Sequence, residues 1–154
     1  MFRRLLTLIT LVVSLTALSA TMPAPAAADV RPDEMVSRSI DAGLELHYPE
    51  RFAPAAADLE KSAPVAVRKV ARQLGLEDLG PVEVWVLPEV DDYFEVTGAP
   101  GRPPEWAIGL SLSDRGVIIV VNGAGPGGQL VDLQKTFVHE LGHVAIDRAR
   151  AGKP

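Results

Sequence analysis

Residues 116–147, GVIIVVNGAGPGGQLVDLQKTFVHELGHVAID, join an apolar run to a helical pattern through a glycine-rich connection. The run GVIIVV consists almost entirely of β-branched residues, which favours a buried strand. From Gln129 to about Arg150 only Gly142 interrupts the helical pattern, and apolar residues recur at steps of three and four: Leu130, Leu133, Phe137, Leu141 and Val144. We therefore predict one long, largely buried helix that ends near Gly152.

Three further strand patterns precede this stretch. WAIGLSLS, residues 106–113, is separated from VIIVV, residues 117–121, by DRG, and Gly116 can adopt the positive φ that a tight hairpin turn requires. VEVWVL, residues 82–87, is short, β-branched and aromatic, and it lies between two prolines. GLELHYP, residues 43–49, alternates apolar and polar residues as half-buried strands do.

Helical and loop patterns fill the segments between these strands. Residues 54–76 have the pattern of an amphipathic helix, with Pro64 as a candidate kink and Gly75 near its end. DDYFEV, residues 91–96, fits one helical turn, and GAPGRPP, residues 98–104, has the composition of a loop. The sequence therefore predicts an α+β fold with a small mixed sheet, a backing helix and a long final helix.

The first 28 residues have the pattern of a secretory signal peptide. Arg3 and Arg4 precede an uncharged apolar run over residues 5–20, and small residues then lead to a cleavage site after Ala28. The run is shorter than the roughly 20 residues that span a bilayer, so a retained membrane anchor is the less favoured alternative. We expect residues 29–154 to be one exported domain that is extracellular, periplasmic or held at the cell surface.

The composition of this domain indicates a packed fold and argues against nucleic acid as a partner. Hydrophobic residues make up 47% of the chain, which is enough for a core. Without Arg3 and Arg4, the domain has 13 basic and 20 acidic residues and a net charge of −7, which repels phosphate backbones. The chain has no cysteine, so disulfides cannot stabilise it and lipid attachment to a cysteine is excluded.

The glycines of the connection match the spacing of a dinucleotide-binding motif. Gly123, Gly125 and Gly128 fit G-x-G-x-x-G between a predicted strand and a predicted helix. The motif also needs an acidic residue at the end of a second strand about 20 positions further on. Asp147 has nearly this spacing but falls within the helical pattern. We therefore interpret the glycines as a flexible connection and keep dinucleotide binding as the least favoured alternative.

His139, Glu140 and His143 match the metal-binding pattern H-E-x-x-H. On a helix, His139 and His143 share one face, so both imidazoles can reach the same Zn²⁺ ion. Glu140 borders that site and can take a proton from a water molecule that zinc polarises. The flanking residues are uncharged, and a buried helix would carry these three polar side chains at high cost without a metal. The pattern predicts a zinc site with Glu140 as the catalytic base.

The segment TFVHELGHVAID, residues 136–147, resembles the active-site helix of zincin metallopeptidases. The order of predicted elements over about residues 44–147 is similar to the N-terminal half of gluzincins, particularly peptidase MA-like domains. The resemblance implies a zinc peptidase that acts on peptides or proteins. It also implies that an edge strand binds the substrate backbone, and the matching segment is Trp106, Ala107, Ile108, Gly109, Leu110 and Ser111. Structural pairing within the sheet is the alternative role for this strand.

The resemblance implies a third zinc ligand that the sequence does not identify. Ile146 and Ala149 stand where metzincins have glycine and histidine, so that branch is excluded. Gluzincins use a glutamate from a later helix, and none follows Glu140, so we expect the domain to be incomplete at its C-terminus. Asp147 either helps to orient a histidine ligand or is a solvated charge. His47 is expected to be structural or exposed.

Several alternatives to an exported gluzincin-type peptidase remain open. A non-catalytic, zincin-like metal-binding module would need no third ligand, and a truncated fragment would lack both that ligand and activity. The regulator-cleaving peptidases of the cytosol also have HELGH helices, but the signal peptide argues against them. Zinc retention, peptide hydrolysis and cellular location distinguish these hypotheses.

Overall fold

The structure, a computed structural model, describes residues 30–125 and 128–152. The predicted signal segment and its cleavage site therefore lie outside the described residues. Five strands and three α-helices make up the described part: β1 (Met35–Ile40), β2 (Leu44–Pro49), α1 (Ala53–Gln73), β3 (Val82–Leu87), α2 (Asp91–Thr97), β4 (Gly109–Leu112), β5 (Val117–Val121) and α3 (Leu133–Ala151). This arrangement confirms the predicted α+β fold.

The five strands form one mixed sheet with the order β1-β2-β3-β5-β4. The three central strands, β2, β3 and β5, are parallel to one another. Each edge strand is antiparallel to its neighbour, β1 to β2 and β4 to β5. Because α1 connects β2 to the parallel strand β3, it crosses over one face of the sheet, as the prediction of a backing helix requires.

Helices α1 and α3 pack side by side on that face and form the main core with it. Alternate residues of β2, β3 and β5 point towards the helices, which is the period-two pattern of a strand. The largest completely buried side chains of this layer are Phe137, Leu44, Leu46, Leu59, Ile118, Leu141, Val82, Val84, Val86 and Val120. The opposite face has a smaller apolar cluster that includes Tyr93 of α2, Ile119 and Val121.

Helix α1 is confirmed but ends three residues before the predicted Leu76. Gly75 takes a positive φ of 71°. Its N–H donates to Arg72 O at 3.2 Å, and the N–H of Leu76 donates to Ala71 O at 2.9 Å. These two bonds satisfy carbonyls that the helix end would otherwise leave unpaired, which is the Schellman arrangement that glycine favours. Pro64 lies inside the helix and is buried.

The predictions for β2, β3, α2 and the β4–β5 turn are confirmed, whereas β1 was not predicted. Residues 35–40, MVSRSI, contain three polar side chains and form an edge strand whose middle is exposed. A strand with one exposed edge and one exposed face needs little apolar patterning. The hydrophobic alternation that identified β2 is therefore absent from β1.

The predicted strand over residues 106–113 is wrong at its start, because β4 begins at Gly109. Trp106 instead belongs to a turn in which the N–H of Ala107 donates to Pro104 O at 2.9 Å. Pro103 and Pro104 lack N–H groups and cannot donate to a strand ladder, which disfavours pairing of the chain just before this turn.

The predicted start of α3 at Gln129 is also wrong, because the helix begins at Leu133. Asp132 is its N-cap, and its carboxylate accepts the N–H of Lys135 at 3.0 Å. Residues 129–131 fold back on the glycine-rich connection: Gly125 N–H donates to Gln129 O at 2.8 Å, and Val131 N–H donates to Gly123 O at 3.0 Å. The first bond occupies the Gln129 carbonyl, which a helix starting at that residue would use to accept the Leu133 N–H.

Arg148 ties the C-terminal part of α3 to the sheet. Its guanidinium donates to Pro81 O at 2.6 Å, just before β3. A Cβ at Gly116 would lie 2.2 Å from the same guanidinium, and Gly116 also has a φ of 70°. Burial lowers the pKa of Arg148 from its ordinary value. Within residues 30–125 and 128–152, no helix has the length and hydropathy needed to cross a bilayer.

Candidate functional site

Helix α3 has a buried side and an exposed side. Phe137, Leu141, Val144 and Ala145 pack into the core, at the spacing of one helical face. His139 and His143 are exposed on the other side of the helix. The prediction of a largely buried helix is therefore wrong for the two histidines. Because water can reach their imidazoles, no metal is needed to offset a cost of burial.

The two histidines bring one ring nitrogen each to almost the same place. Their Nε2 atoms are 3.3 Å apart, and the rings meet at 82° with centroids separated by 5.0 Å. Two nitrogens that bind one tetrahedral zinc at ordinary Zn–N distances are separated by about 3.3–3.4 Å. The pair therefore fits two adjacent positions of a zinc site, and imidazole is a ligand that zinc favours. The same separation also permits a direct N–H···N hydrogen bond when one ring donates.

Glu140 lies between the histidines and the edge of the sheet. Its side chain is buried, with 9% of the residue exposed. A Cβ built on Gly109 would lie 3.1 Å from Glu140 Oε1 and 2.6 Å from Thr136 Cγ2. Strand β4 can approach α3 this closely because residue 109 has no side chain. The glutamate is thus shielded on one side by strand β4.

A cleft of about 440 Å³ opens beside these residues. It runs between the chain that enters β4, the end of the glycine-rich connection and the first turns of α3. Its lining residues are Trp106, Ala107, Ile108, Gly109, Gln129, Leu130, Val131, Asp132, Lys135, Thr136, His139 and Glu140. One candidate metal ligand, the candidate base and four of the six residues of the predicted substrate strand therefore border a single concave surface.

Strand β4 has one unpaired edge within the described part of the chain. Ile108 O accepts the N–H of Val121 at 3.0 Å, so the backbone of Ile108 faces β5. Because backbone groups alternate sides along an antiparallel strand, Leu110 also faces β5 whereas Gly109 and Ser111 face outwards. The outward N–H and C=O groups can pair with another extended chain.

No third metal ligand is found among the described residues, in which no group of three or more His, Asp or Glu side chains is arranged around a common point. Asp147 is exposed and makes no hydrogen bond or ion pair to either histidine. The structure thus brings together His139, His143 and Glu140 but does not connect Asp147 to them. Two imidazoles alone would leave a zinc site open to water or to a ligand from elsewhere.

His47 lies on the opposite face of the sheet and cannot join this site. Its neighbours Leu46 and Tyr48 point into the core with α3, so the side chain of His47 points away. His47 Nδ1 is 2.8 Å from Ser37 Oγ, and its ring stacks on Trp85 with centroids 4.2 Å apart. Burial lowers the pKa of His47, while Glu45 and Glu83 oppose that shift. These contacts give His47 a structural environment, as expected from the sequence.

In the described part of the glycine-rich connection, two glycine N–H groups are already bonded within the chain. The N–H groups of Gly125 and Gly128 donate to Gln129 O and Gly125 O, so they are not directed at a ligand. The N-terminus of α3 follows Asp132, whose carboxylate occupies the position where a phosphate would bind. Pro126 and Gly127 lie outside the described residues. The arrangement around them supports a connection rather than a dinucleotide site.

No motif in the sequence identifies the part of the cleft formed by the residues before α3 and by its first turn. Leu130, Lys135 and Thr136 line this part. Asp132 gave the available signal, since aspartate is a preferred N-cap and would have left Leu130 in a loop. Comparison of the chain with models of known families and with curated proteins finds no match.

Proposed function

We propose that the chain is a zinc-dependent peptidase of the gluzincin type. His139 and His143 would hold the zinc, and Glu140 would be the catalytic base. The observation that supports this best is the 3.3 Å separation of the two Nε2 atoms beside a buried glutamate and an unpaired strand edge. Zinc, when bound, would supply a Lewis acid that polarises a carbonyl and lowers the pKa of water towards about 7.

Different residues of the chain would then bind the peptide and transfer the protons during hydrolysis. Gly109 and Ser111 would hold the extended substrate backbone through the outward edge of β4. Glu140 would take a proton from the attacking water and return it to the departing amine, so one carboxylate serves both halves of the reaction. Strand β4 keeps bulk water away from one side of that carboxylate, which strengthens its interactions with the substrate.

The test separates metal binding from hydrolysis. We expect the zinc-loaded chain to cleave a quenched fluorescent peptide mixture, and Glu140→Gln to retain zinc while losing at least about a hundredfold in turnover. His139→Ala and His143→Ala should lose zinc, whereas His47→Gln should keep it because His47 is on the other face of the sheet. Glu77→Gln, an exposed substitution outside the cleft, is the matched control for charge. Unchanged turnover in Glu140→Gln would rule out the mechanism.

A second candidate function is a zinc-binding module without catalysis. It is favoured by one specific observation, the absence of a third protein ligand within the described residues. Such a module would bind one zinc per chain through His139 and His143 and would leave every peptide in the mixture intact. Zinc content measured together with peptide cleavage distinguishes the two proposals.

We also propose that the chain is exported. The basic start, uncharged apolar run and small-residue exit of residues 1–28 support a cleaved leader. The mature protein should begin at Asp29 when its N-terminus is sequenced after expression in a cell with a secretory pathway. A protein that retains Met1 in the cytoplasm would favour the regulator-cleaving alternative, and one that retains it in the membrane would indicate an anchor.

A further inference from the structure

Two large apolar side chains stand exposed on the walls of the cleft. Leu130 is 86% exposed and Trp106 is 72% exposed, and Ile108, which lines the same cleft, is 37% exposed. They are three of only seven large hydrophobic residues that are exposed in the described part of the chain. Exposed apolar side chains that gather at one concave surface indicate a binding site.

The backbone of Leu130 is held in place, but its side chain does not pack into the core. Its backbone pairs with Ala124 through an isolated bridge, and the flanking bonds from Gly125 and Val131 fix the loop on both sides. The side chain of Val131 packs into the smaller core, which turns Leu130 outwards. A Cβ at Gly125 would lie 3.0 Å from Ile108 Cγ2, so the loop also rests against the opposite wall.

We propose that Leu130 and Trp106 determine specificity by binding a large apolar side chain of an extended peptide. The unpaired edge of β4 argues for this occupant, since Gly109 and Ser111 present backbone groups that only an extended chain can match in series. The apolar side chains, Gly109 and His139 line the same cleft, so the bound side chain would lie near the bond that reacts. The inference rests on the proposed peptidase function for that bond, but the binding preference is measurable without turnover.

The experiment uses the zinc-loaded Glu140→Gln variant and two blocked pentapeptides that differ only in a central leucine or serine. We expect the leucine peptide to bind about tenfold more tightly by calorimetry, because its side chain leaves water. Tryptophan emission should shift to the blue as Trp106 becomes covered. The shift should disappear in Trp106→Phe, which leaves Trp85 on the other face of the sheet as the remaining tryptophan.

Leu130→Ser tests the wall directly, and its exposure makes a loss of folding no concern. This variant should bind the two peptides within about threefold of each other. Val65→Ser, at another exposed apolar position on α1, should keep the full preference. Equal binding of both peptides by the parent protein, or a preference that survives Leu130→Ser, would overturn the inference. If the chain binds the leucine peptide more tightly but the wild type hydrolyses neither peptide, only the proposed peptidase function is refuted. If the wild type hydrolyses both peptides equally, only the proposed specificity is refuted.

Discussion

One histidine and two carboxylate side chains are buried in the described part of the chain, and each is accommodated differently. His47 shares a hydrogen bond with Ser37 and stacks on Trp85. Asp92 accepts the N–H of Glu89 at 2.9 Å. Of the three, only Glu140 lines the cleft. A carboxylate that is shielded by protein on one side and reaches a concave surface on the other has the environment that a general base needs.

Asp92 should make the stability of the protein depend on pH. Burial, reinforced by the nearby charges of Glu89 and Glu95, raises its pKa from 3.8 to about 6. Because the native state holds the proton more tightly than the unfolded chain, the stability from this group is complete below pH 3.8 and is lost as pH rises through about 6. Asp92→Asn keeps an acceptor for the Glu89 N–H and removes the buried charge. We expect it to raise the free energy of unfolding at pH 8 by about 1–2 kcal/mol, after allowing for water near the carboxyl.

Urea denaturation at pH 4.5 and pH 8 checks this expectation. The difference between Asp92→Asn and the wild type should be small at the lower pH and should grow at the higher one. Asp91→Asn, one residue earlier in α2, is the matched control because it makes the same change of charge at the same helix N-terminus but at a less buried position. The helix dipole favours a carboxylate at this N-terminus, so Asp91→Asn should not raise the free energy of unfolding. An equal rise with both substitutions would attribute the result to repulsion among the acidic side chains instead of burial.

At the scale of elements, the sequence predicts the bounds of a helix or strand best where the hydrophobic pattern matches the residues that pack into the core. Strand β3 was predicted over its full length because VEVWVL is β-branched, apolar on its inner face and bounded by prolines. The start of α3 was not predicted, because Leu130 continues the apolar periodicity while its backbone pairs elsewhere. The H-E-x-x-H spacing predicts that His139 and His143 converge, since that depends on one helix alone. The closeness of Gly109 to Glu140 depends on how β4 crosses α3. No local sequence pattern predicts that crossing.

Gly109→Ala should test that crossing. The new Cβ would lie 2.6 Å from Thr136 Cγ2, which is too close for carbon atoms, so either the Thr136 side chain or the spacing of β4 and α3 must change. We expect a loss of about 1–3 kcal/mol in the free energy of unfolding, as for other overpacked sites. Thr136→Ser removes the obstructing methyl group and should recover much of the loss in the double variant.

The control for this pair is Gly123→Ala, since a Cβ at Gly123 would meet nothing within 4 Å. Chemical denaturation of the four variants gives the interaction energy between positions 109 and 136 as a double-mutant cycle. Additive effects of Gly109→Ala and Thr136→Ser would show that the strand and the helix do not touch at this point.

At the scale of the whole molecule, two separate segments of the chain meet at the cleft. One is the chain entering β4, and the other runs from the end of the glycine-rich connection into the first turns of α3. Helix α3 also packs on α1 and on the sheet through Phe137 and Leu141. A ligand that holds α3 in its native form therefore acts on the core as well as on the cleft.

Zinc should accordingly stabilise the entire described fold. The two imidazoles are brought together only when α3 is helical, so the folded state should bind zinc more tightly than the unfolded chain. At a free zinc concentration about a hundred times the dissociation constant, the gain is about 2.7 kcal/mol, reduced by whatever zinc the unfolded chain retains. Thermal unfolding followed by circular dichroism should show a midpoint that rises with zinc and returns after chelation. Magnesium, which prefers oxygen ligands, is the control ion and should leave the midpoint unchanged. The rise should vanish in His139→Ala and in His143→Ala, and its survival in both would mean that zinc binds elsewhere on the chain.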